Sequence, residues 1–248
     1  MAEPIKAIII GASSGIGQAL AELMAKKNYR VGSVARNEAN LRASQAKCPQ
    51  NILIKPVDVN DPEAAIASVN YLIAEMGGLD ILIISAGIGF QNKDLELEKE
   101  LKTIQTNVIG FTALANLAFK HFVTKKSGHL VGITSIMGIR GEQGAPAYSA
   151  TKGYQSNYLE SLRQRACRLK LPITVTEIQP GFMQSQMAKG DNIFWSAPLK
   201  KAAAQILRAI EKKKDHAYVT KRWTIIAWLL KIFPRGWYKK LRFAKNND

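Results

Sequence analysis

Cysteine is scarce in this 248-residue chain. Cys48 and Cys167 are too few for a disulfide framework, and no C-x-x-C spacing marks a zinc or redox motif. Only three histidines occur, His121, His129 and His216, and they lie far apart, so no metal site is expected. Long apolar runs are missing too. None reaches the roughly 18 residues a spanning helix needs. The N-terminal MAEPIKAIII has no long apolar stretch followed by a cleavage pattern. It is not read as a secretory signal, and a cytoplasmic protein is expected. Acid is under-represented: 19 Asp and Glu stand against 35 Lys and Arg, a formal net charge of +16. Residues 200–248 hold 14 Lys/Arg and three acids, so +11 of the excess sits in the last fifth. That asymmetry points to an anionic partner for the tail, membrane or nucleic acid, against the plainer reading of a solvated basic end.

What is present is ordinary globular composition, 47% hydrophobic and 22% charged, which argues against disorder. Short, mostly apolar runs bounded by Gly, Pro, Asn or Asp occupy 5–10, 29–35, 52–57, 79–84, 129–134 and 173–178. Near-continuous hydrophobicity suits strands buried on both faces, as in a parallel sheet. Helix-length segments lie between them, near 15–27, 38–47, 61–76, 95–125 and 147–170. Asp61-Pro62 is an N-cap followed by a first-turn proline. A last helix at 198–213 and an edge strand at 216–220 complete the pattern. The alternation predicts an α/β fold, a single doubly wound parallel sheet with helices on both faces. No repeat or linker precedes about residue 220. The division expected is 1–221 as one Rossmann-type domain and 222–248 as a basic amphipathic extension.

The first run leads directly into Gly11-Ala12-Ser13-Ser14-Gly15-Ile16-Gly17 and then a helix. Three glycines allow a tight turn, close approach of a pyrophosphate and close helix packing, and the helix N-terminus offers unpaired N–H donors. Glycine clusters alone mark plain turns as often. Its place after the first strand of an alternating chain favours dinucleotide binding.

The spacing G-x-x-x-G-x-G resembles that of the short-chain dehydrogenase/reductase family, and the likeness continues in order to about residue 185. Asp58-Val59 follows the third strand, where the family places an Asp beside the adenine. Ser85-Ala86-Gly87 follows the fourth, where the family has Asn-Asn-Ala-Gly. Asn107 lies in the long helix at the place of a catalytic Asn. Ser135 follows the fifth strand, and Tyr148 and Lys152 form a Tyr-x-x-x-Lys pair 13 residues later. Pro180-Gly181 follows the sixth, with Ser185 where a Thr is usual. Two departures stand out. Ile10 replaces the Thr before the first glycine, and Ile84-Ser85 replaces Asn-Asn. An apolar contact is expected where the family has a hydrogen bond.

The resemblance implies an oxidoreductase that interconverts a carbonyl and an alcohol, with Asn107, Ser135, Tyr148 and Lys152 as the catalytic set. Cofactor contacts would fall to Gly11, Ser13, Ser14, Gly15, Ile16, Gly17, Arg36, Asp58, Val59, Ser85, Ala86, Gly87, Tyr148, Lys152, Pro180, Gly181 and Ser185. NAD-binding relatives carry an acid at the end of the second strand for the ribose 2′-OH. Ala35 stands there, and Arg36 can face a 2′-phosphate, so NADP(H) is expected. Tyr148 and Lys152 share a helix face. A tyrosine of pKa about 10 is a poor base. A lysine ammonium nearby is expected to lower it, Tyr148 to act as general acid/base and Ser135 to hold the substrate oxygen. The resemblance also assigns Lys152 to the nicotinamide ribose and Asn107 to a water in a proton relay.

Residues 186–197 should form a mobile lid in which Met187, Ile193, Phe194 and Trp195 give an apolar lining, hence a hydrophobic substrate. Trp223–Phe233 is too short to span a bilayer, and Pro234 ends it. Aromatic and basic residues then alternate through Trp237, Tyr238, Leu241 and Phe243, which suits a peripheral membrane contact through 222–248. A helix pair packed over the substrate mouth is the alternative. Nothing upstream resembles a nucleic-acid module, so nucleic acid is not favoured. A homodimer is expected through the helix near 99–124 and the Tyr148 helix, with Leu114, Leu117 and Phe119 either at the interface or against the sheet. The rival functions are a non-catalytic dinucleotide-binding redox sensor and a basic interaction protein.

Overall fold

The computed structural model describes residues 3–183 and 197–239. Among the described residues seven strands form one sheet in the order β3-β2-β1-β4-β5-β6-β7, with every neighbouring pair parallel. They are β1 (Lys6–Ile10), β2 (Arg30–Ala35), β3 (Ile52–Pro56), β4 (Ile81–Ile84), β5 (Gly128–Ile133), β6 (Ile173–Pro180) and β7 (His216–Val219). The helices are α1 (Gly15–Lys26), α2 (Glu38–Gln45), α3 (Pro62–Met76), α4 (Leu97–Ile104), α5 (Phe111–Lys125), α6 (Pro146–Leu169), α7 (Leu199–Glu211), α8 (Trp223–Ile232) and α9 (Arg235–Tyr238).

The strand runs are apolar throughout because successive side chains enter two different cores. Ala7 and Ile9 join a cluster with Leu20, Met24, Ile206 and Leu207 of α1 and α7. Ile8 and Ile10 join one with Leu72, Phe111, Phe122 and Leu159 of α3, α5 and α6. Each such side chain, wholly removed from water, contributes about 1.5–3 kcal/mol. A polar residue on either face of β1 would therefore be costly. Leu114 and Phe119 are buried in the second cluster, and Leu117 packs against it. Of the two positions open to them, all three take the one toward the sheet. The helix start at Asp61 is as the sequence indicates: its side chain caps Ala64 N at 3.0 Å, with Pro62 in the first turn.

Two features depart from the sequence pattern. The segment expected as one helix at 95–125 is interrupted by a π-helical turn over Gln105–Gly110. Asn107 sits on that turn. The extra residue in a π turn changes which way side chains face, a device often found at functional sites. The second is α8. Its Trp223 and Ala227 are buried with Ile136 beyond the end of β5, and Ile226 and Leu230 pack against them. The first turns of the basic segment are thus seated on the folded body.

Candidate active site

Connections from β1 run outward to β2 and β3, while β4 begins the other half of the sheet. The crevice beyond the carboxyl ends of β1 and β4 is the place where doubly wound sheets bind ligands. The glycine turn lies there. Gly11 has φ +86°, and a Cβ on it would stand 2.6 Å from Ala86 N; a Cβ on Gly17 would stand 2.2 Å from Gly11 O. Larger residues would force the turn away from the β4 end. Gly15 faces open space at φ +58°. Ser14 precedes α1 and makes no side-chain cap bond, so the first-turn N–H groups remain available to an anion. Backbone bonds from Gly11 N and Ala12 N to Val34 O, at 2.7 and 3.1 Å, fix the turn to β2.

The two isoleucine departures are absorbed together. Ile10 and Ile84 are opposite each other in the β1–β4 register and wholly buried, and Ser85 N donates to Ile10 O at 2.9 Å. Backbone pairing and an apolar contact stand where the family has a side-chain bond.

Around the crevice, Arg36 is exposed just past β2 and lies 3.7 Å from the Asp58 carboxylate. Asn40 Nδ2 donates to Ser13 O at 3.1 Å, which joins α2 to the turn. Val59 packs against the π turn, where a Cβ on Gly110 would meet Val59 O at 2.6 Å. Ser85, Ala86 and Gly87 follow β4. Gly87 lies close against the catalytic candidates, since an added Cβ would stand 3.2 Å from Lys152 Nζ and 3.3 Å from Asn107 Oδ1. Ser185 and the lid residues Met187, Ile193, Phe194 and Trp195 lie outside the described residues.

The catalytic candidates converge from three elements. Pro146 opens α6, and Tyr148 and Lys152 follow on one face. Gly138, after β5, lets the loop approach α6 closely, since a Cβ there would stand 2.7 Å from the Lys152 carbonyl carbon. Ser135 caps the short turn after β5 by accepting from Met137 N at 3.2 Å, and its side chain stands beside Tyr148. Asn107 is wholly buried. Its amide accepts from Ile88 N at 2.9 Å and donates to Ile88 O at 2.8 Å and Thr151 Oγ1 at 3.0 Å. It therefore clamps the segment after β4 to α6. Lys152 Nζ donates to Ile133 O at 3.1 Å and to Gln155 Oε1 at 2.9 Å, and lies 5.8 Å from the Tyr148 ring centre.

Electrostatics here differ from the simple expectation for Tyr148. Burial raises its pKa above the ordinary tyrosine value, and the polar Ser135 side chain beside it offsets this only in part. Burial pushes Lys152 down to about 7. The expected lowering of Tyr148 is not seen, because desolvation outweighs a lysine head turned toward Ile133 and Gln155.

Several residues around the site have no motif to announce them. Gly89 leaves room for Tyr148, since a Cβ there would fall 2.4 Å from the ring. Trp223 lies over Gly181, whose added Cβ would fall 2.2 Å from the indole. Arg140 donates to the α8 carbonyls, to Leu230 O at 2.8 Å and Lys231 O at 3.3 Å, and to Phe233 O at 2.7 Å. Tyr238 OH donates to Gly141 O at 2.8 Å. The only available signal for Trp223 was a large aromatic at the start of an apolar stretch.

Comparison with known proteins accords with this geometry. The family model described as short chain dehydrogenase matches residues 6–193. An uncharacterized oxidoreductase of Myxococcus xanthus is 36% identical over 191 residues, 75% of each chain. The human 3-oxoacyl-[acyl-carrier-protein] reductase is 29% identical over 186 residues, 73% of this chain and 76% of its own. Among solved structures, a short-chain dehydrogenase from Streptomyces avermitilis superposes with a TM-score of 0.80 at 23% identity, covering 96% of this chain and 93% of its own. ElxO with NADP bound gives 0.76 at 19% identity over 87% and 97%. With the glycine turn, the parallel sheet and the family match all in register, the chain belongs to the short-chain dehydrogenase/reductase family and is an oxidoreductase.

Proposed function

We propose that the protein interconverts a carbonyl and an alcohol on a hydrophobic substrate, using NADP(H), with Tyr148 as general acid/base. The observation that carries this reading is the convergence of Ser135, Tyr148 and the buried Lys152, whose Nζ lies 5.8 Å from the Tyr148 ring centre. A nicotinamide cofactor supplies the hydride. In reduction, Ser135 holds the carbonyl oxygen and Tyr148 delivers a proton to it. The raised pKa of Tyr148 suits this direction, because the hydroxyl keeps its proton at neutral pH. In oxidation a cationic Lys152 and a positive nicotinamide both favour the phenolate. Gly11 to Gly17 and the α1 N-terminus would cradle the pyrophosphate, and Asp58 and Val59 would flank the adenine. Ser85 to Gly87, Pro180 and Gly181 would line the nicotinamide end. Arg36, with Ala35 in place of an acid, supports NADP(H). Phe90 and Phe182 are partly exposed beside Gly89 and Gly181, which supports an apolar substrate.

The catalytic unit is read as 1–221 and the extension as 222–248. Its outward face carries Ile225, Trp228, Leu229 and Ile232, with Trp237 beyond, all exposed and set among cations. That combination supports a peripheral contact with an anionic membrane surface from the cytoplasmic side. No helix among the described residues is long and apolar enough to cross a membrane. Exposed Leu97, Leu101, Ile104, Ile109 and Tyr154 support pairing of two copies through α4, the π turn and α6.

A panel of lipophilic ketones and alcohols followed by NADPH absorbance tests the reaction class. Tyr148→Phe should abolish turnover and leave NADPH binding intact. Retention of more than about a tenth of the activity would remove Tyr148 from the role, since acid/base catalysis is worth roughly 10²–10⁴-fold.

A further inference from the structure

Gln155 plays no part in the chemistry above, yet its side chain has no exposed surface. It stands three residues after Lys152, on the same face of α6. Its Oε1 accepts from Lys152 Nζ at 2.9 Å, and its Nε2 donates to the Asn107 carbonyl at 2.9 Å. Chemistry fixes that orientation. An ammonium only donates and a carbonyl only accepts, so a reversed amide would set donor against donor and acceptor against acceptor. Ile133 O takes a second ammonium hydrogen at 3.1 Å. Two of the three are thus held by the protein, and the third is left for the crevice beside Gly87.

The groups around this ammonium are mostly neutral. On its own helix the titratable neighbour is Tyr148, its ring centre 5.8 Å away. On β6, Glu177 is engaged elsewhere, its Oε1 accepting from Thr134, Ser156 and Gln179. His216 of β7 lies behind Gln179 at 3.0 Å. The π turn and β5 offer a side-chain amide and backbone carbonyls. Among the described residues, no carboxylate pairs with Lys152. A buried cation without an ion pair depends on dipoles that accept its hydrogens, and among the described residues Gln155 is the only side chain that gives one. An amide does so without cancelling the positive charge that acts on Tyr148. A carboxylate would cancel it, and an aliphatic side chain would accept nothing.

We propose that Gln155 is a positioning residue: anchored on the Asn107 carbonyl, it aims the Lys152 ammonium into the crevice and favours its protonated form. This rests on the reading of Lys152 as a member of the catalytic set. Burial already drives Lys152 to about 7, so a lost acceptor changes its charge within the working range.

The decisive experiment reads the lysine itself. ¹³C-labelled lysine side chains are titrated by NMR in the cofactor-free protein, with the Lys152 signal assigned by Lys152→Arg. Gln155→Leu should lower the midpoint by about one pH unit or more, and Gln155→Glu should raise it by a similar amount. NADPH binding, followed by tryptophan fluorescence, should weaken several-fold in Gln155→Leu at pH 8 and recover at pH 6. Midpoints that stay at the wild-type value overturn the proposal, however far turnover falls. So does a Gln155→Leu protein whose sole change is a lower melting temperature. If Gln155→Leu does not fold, the sign of the Gln155→Glu shift decides: upward supports the assignment, unmoved or downward overturns it. Failure of the underlying catalytic reading shows separately, as undiminished turnover in Tyr148→Phe.

Discussion

Arg36 occupies the position on which the cofactor argument turns, and its neighbours set the terms of a test. It is well exposed and sits 3.7 Å from Asp58, so the pair itself contributes little to stability. Arg36→Asp would exchange a 2′-phosphate partner for a 2′-OH acceptor while bringing two carboxylates together. We expect kcat/KM for NADPH to fall at least about tenfold, the size of one lost charged contact, and preference to move toward NADH. A wild type that already favours NADH in kcat/KM defeats the assignment before the variant is made. Arg36 was legible because the strand-end position is defined by local sequence. So were Tyr148, Lys152 and Ser135, joined by short fixed spacings. Gln155 was not: its partners are Lys152, three residues away, and Asn107, 48 residues away. On a helix of mixed composition an unannounced glutamine looks like surface. Gly89 and Gly181 escaped for the same reason, since the rings they accommodate, Tyr148 and Trp223, come from distant elements.

Strand β5 leads into Ser135 just past its end and carries a buried histidine near its start. A short apolar run identified β5, but not what His129 does inside it. Its Nε2 lies 2.7 Å from Thr176 Oγ1 of β6, in the closed interior of the sheet. Burial pushes its pKa from the usual 6.5 down to about 4, with Lys213 adding to the effect. The folded protein therefore resists the proton that the unfolded chain accepts. Stability from this group is complete above about pH 6.5 and is lost as pH falls toward about 4. A difference of this size corresponds to roughly 3 kcal/mol. His129→Gln keeps a hydrogen-bonding partner for Thr176 and has no charge to acquire. Its urea-unfolding free energy should fall less between pH 7 and pH 4.5 than that of the wild type. Equal slopes would show that carboxylates elsewhere account for the acid limb. The π turn at Asn107 is the other element-scale lesson. Composition marks a helix over 95–125, and nothing local marks the inserted residue. Its position follows from packing, with Gly110 against Val59 on one side and Asn107 bound to Ile88 and Thr151 on the other.

At the scale of the molecule, the alternation of apolar runs and helices was enough to specify a doubly wound sheet, because each run had to supply two cores at once. It was not enough to say where the basic end goes, since an apolar stretch of eleven residues suits a membrane face and a packed helix equally. In the structure α8 packs on the body with one side and leaves the other exposed. Inward, Trp223 covers Gly181 and meets Ile136, and Arg140 holds the carbonyls at its end. Outward, Trp228 is 60% exposed with Ile225 and Ile232 beside it. Removal of everything from residue 222 is therefore a poor test of membrane binding, because it also uncovers the walls of the crevice, and a lost buried aromatic costs about 3–5 kcal/mol. Trp228→Glu with Ile232→Glu leaves the inner face in place. On vesicles rich in anionic lipid at low salt, the wild type should sediment with the lipid and the double variant should stay in solution. NADPH binding and melting temperature should be unchanged. Cations near such a surface are worth about 1 kcal/mol each and are screened by salt. Binding of the wild type should therefore weaken steeply between low and physiological ionic strength, while vesicles of neutral lipid retain little protein at either. If the wild type ignores anionic vesicles at low salt, the outward face has another purpose. If the double variant unfolds or loses NADPH, that face is part of the folded body.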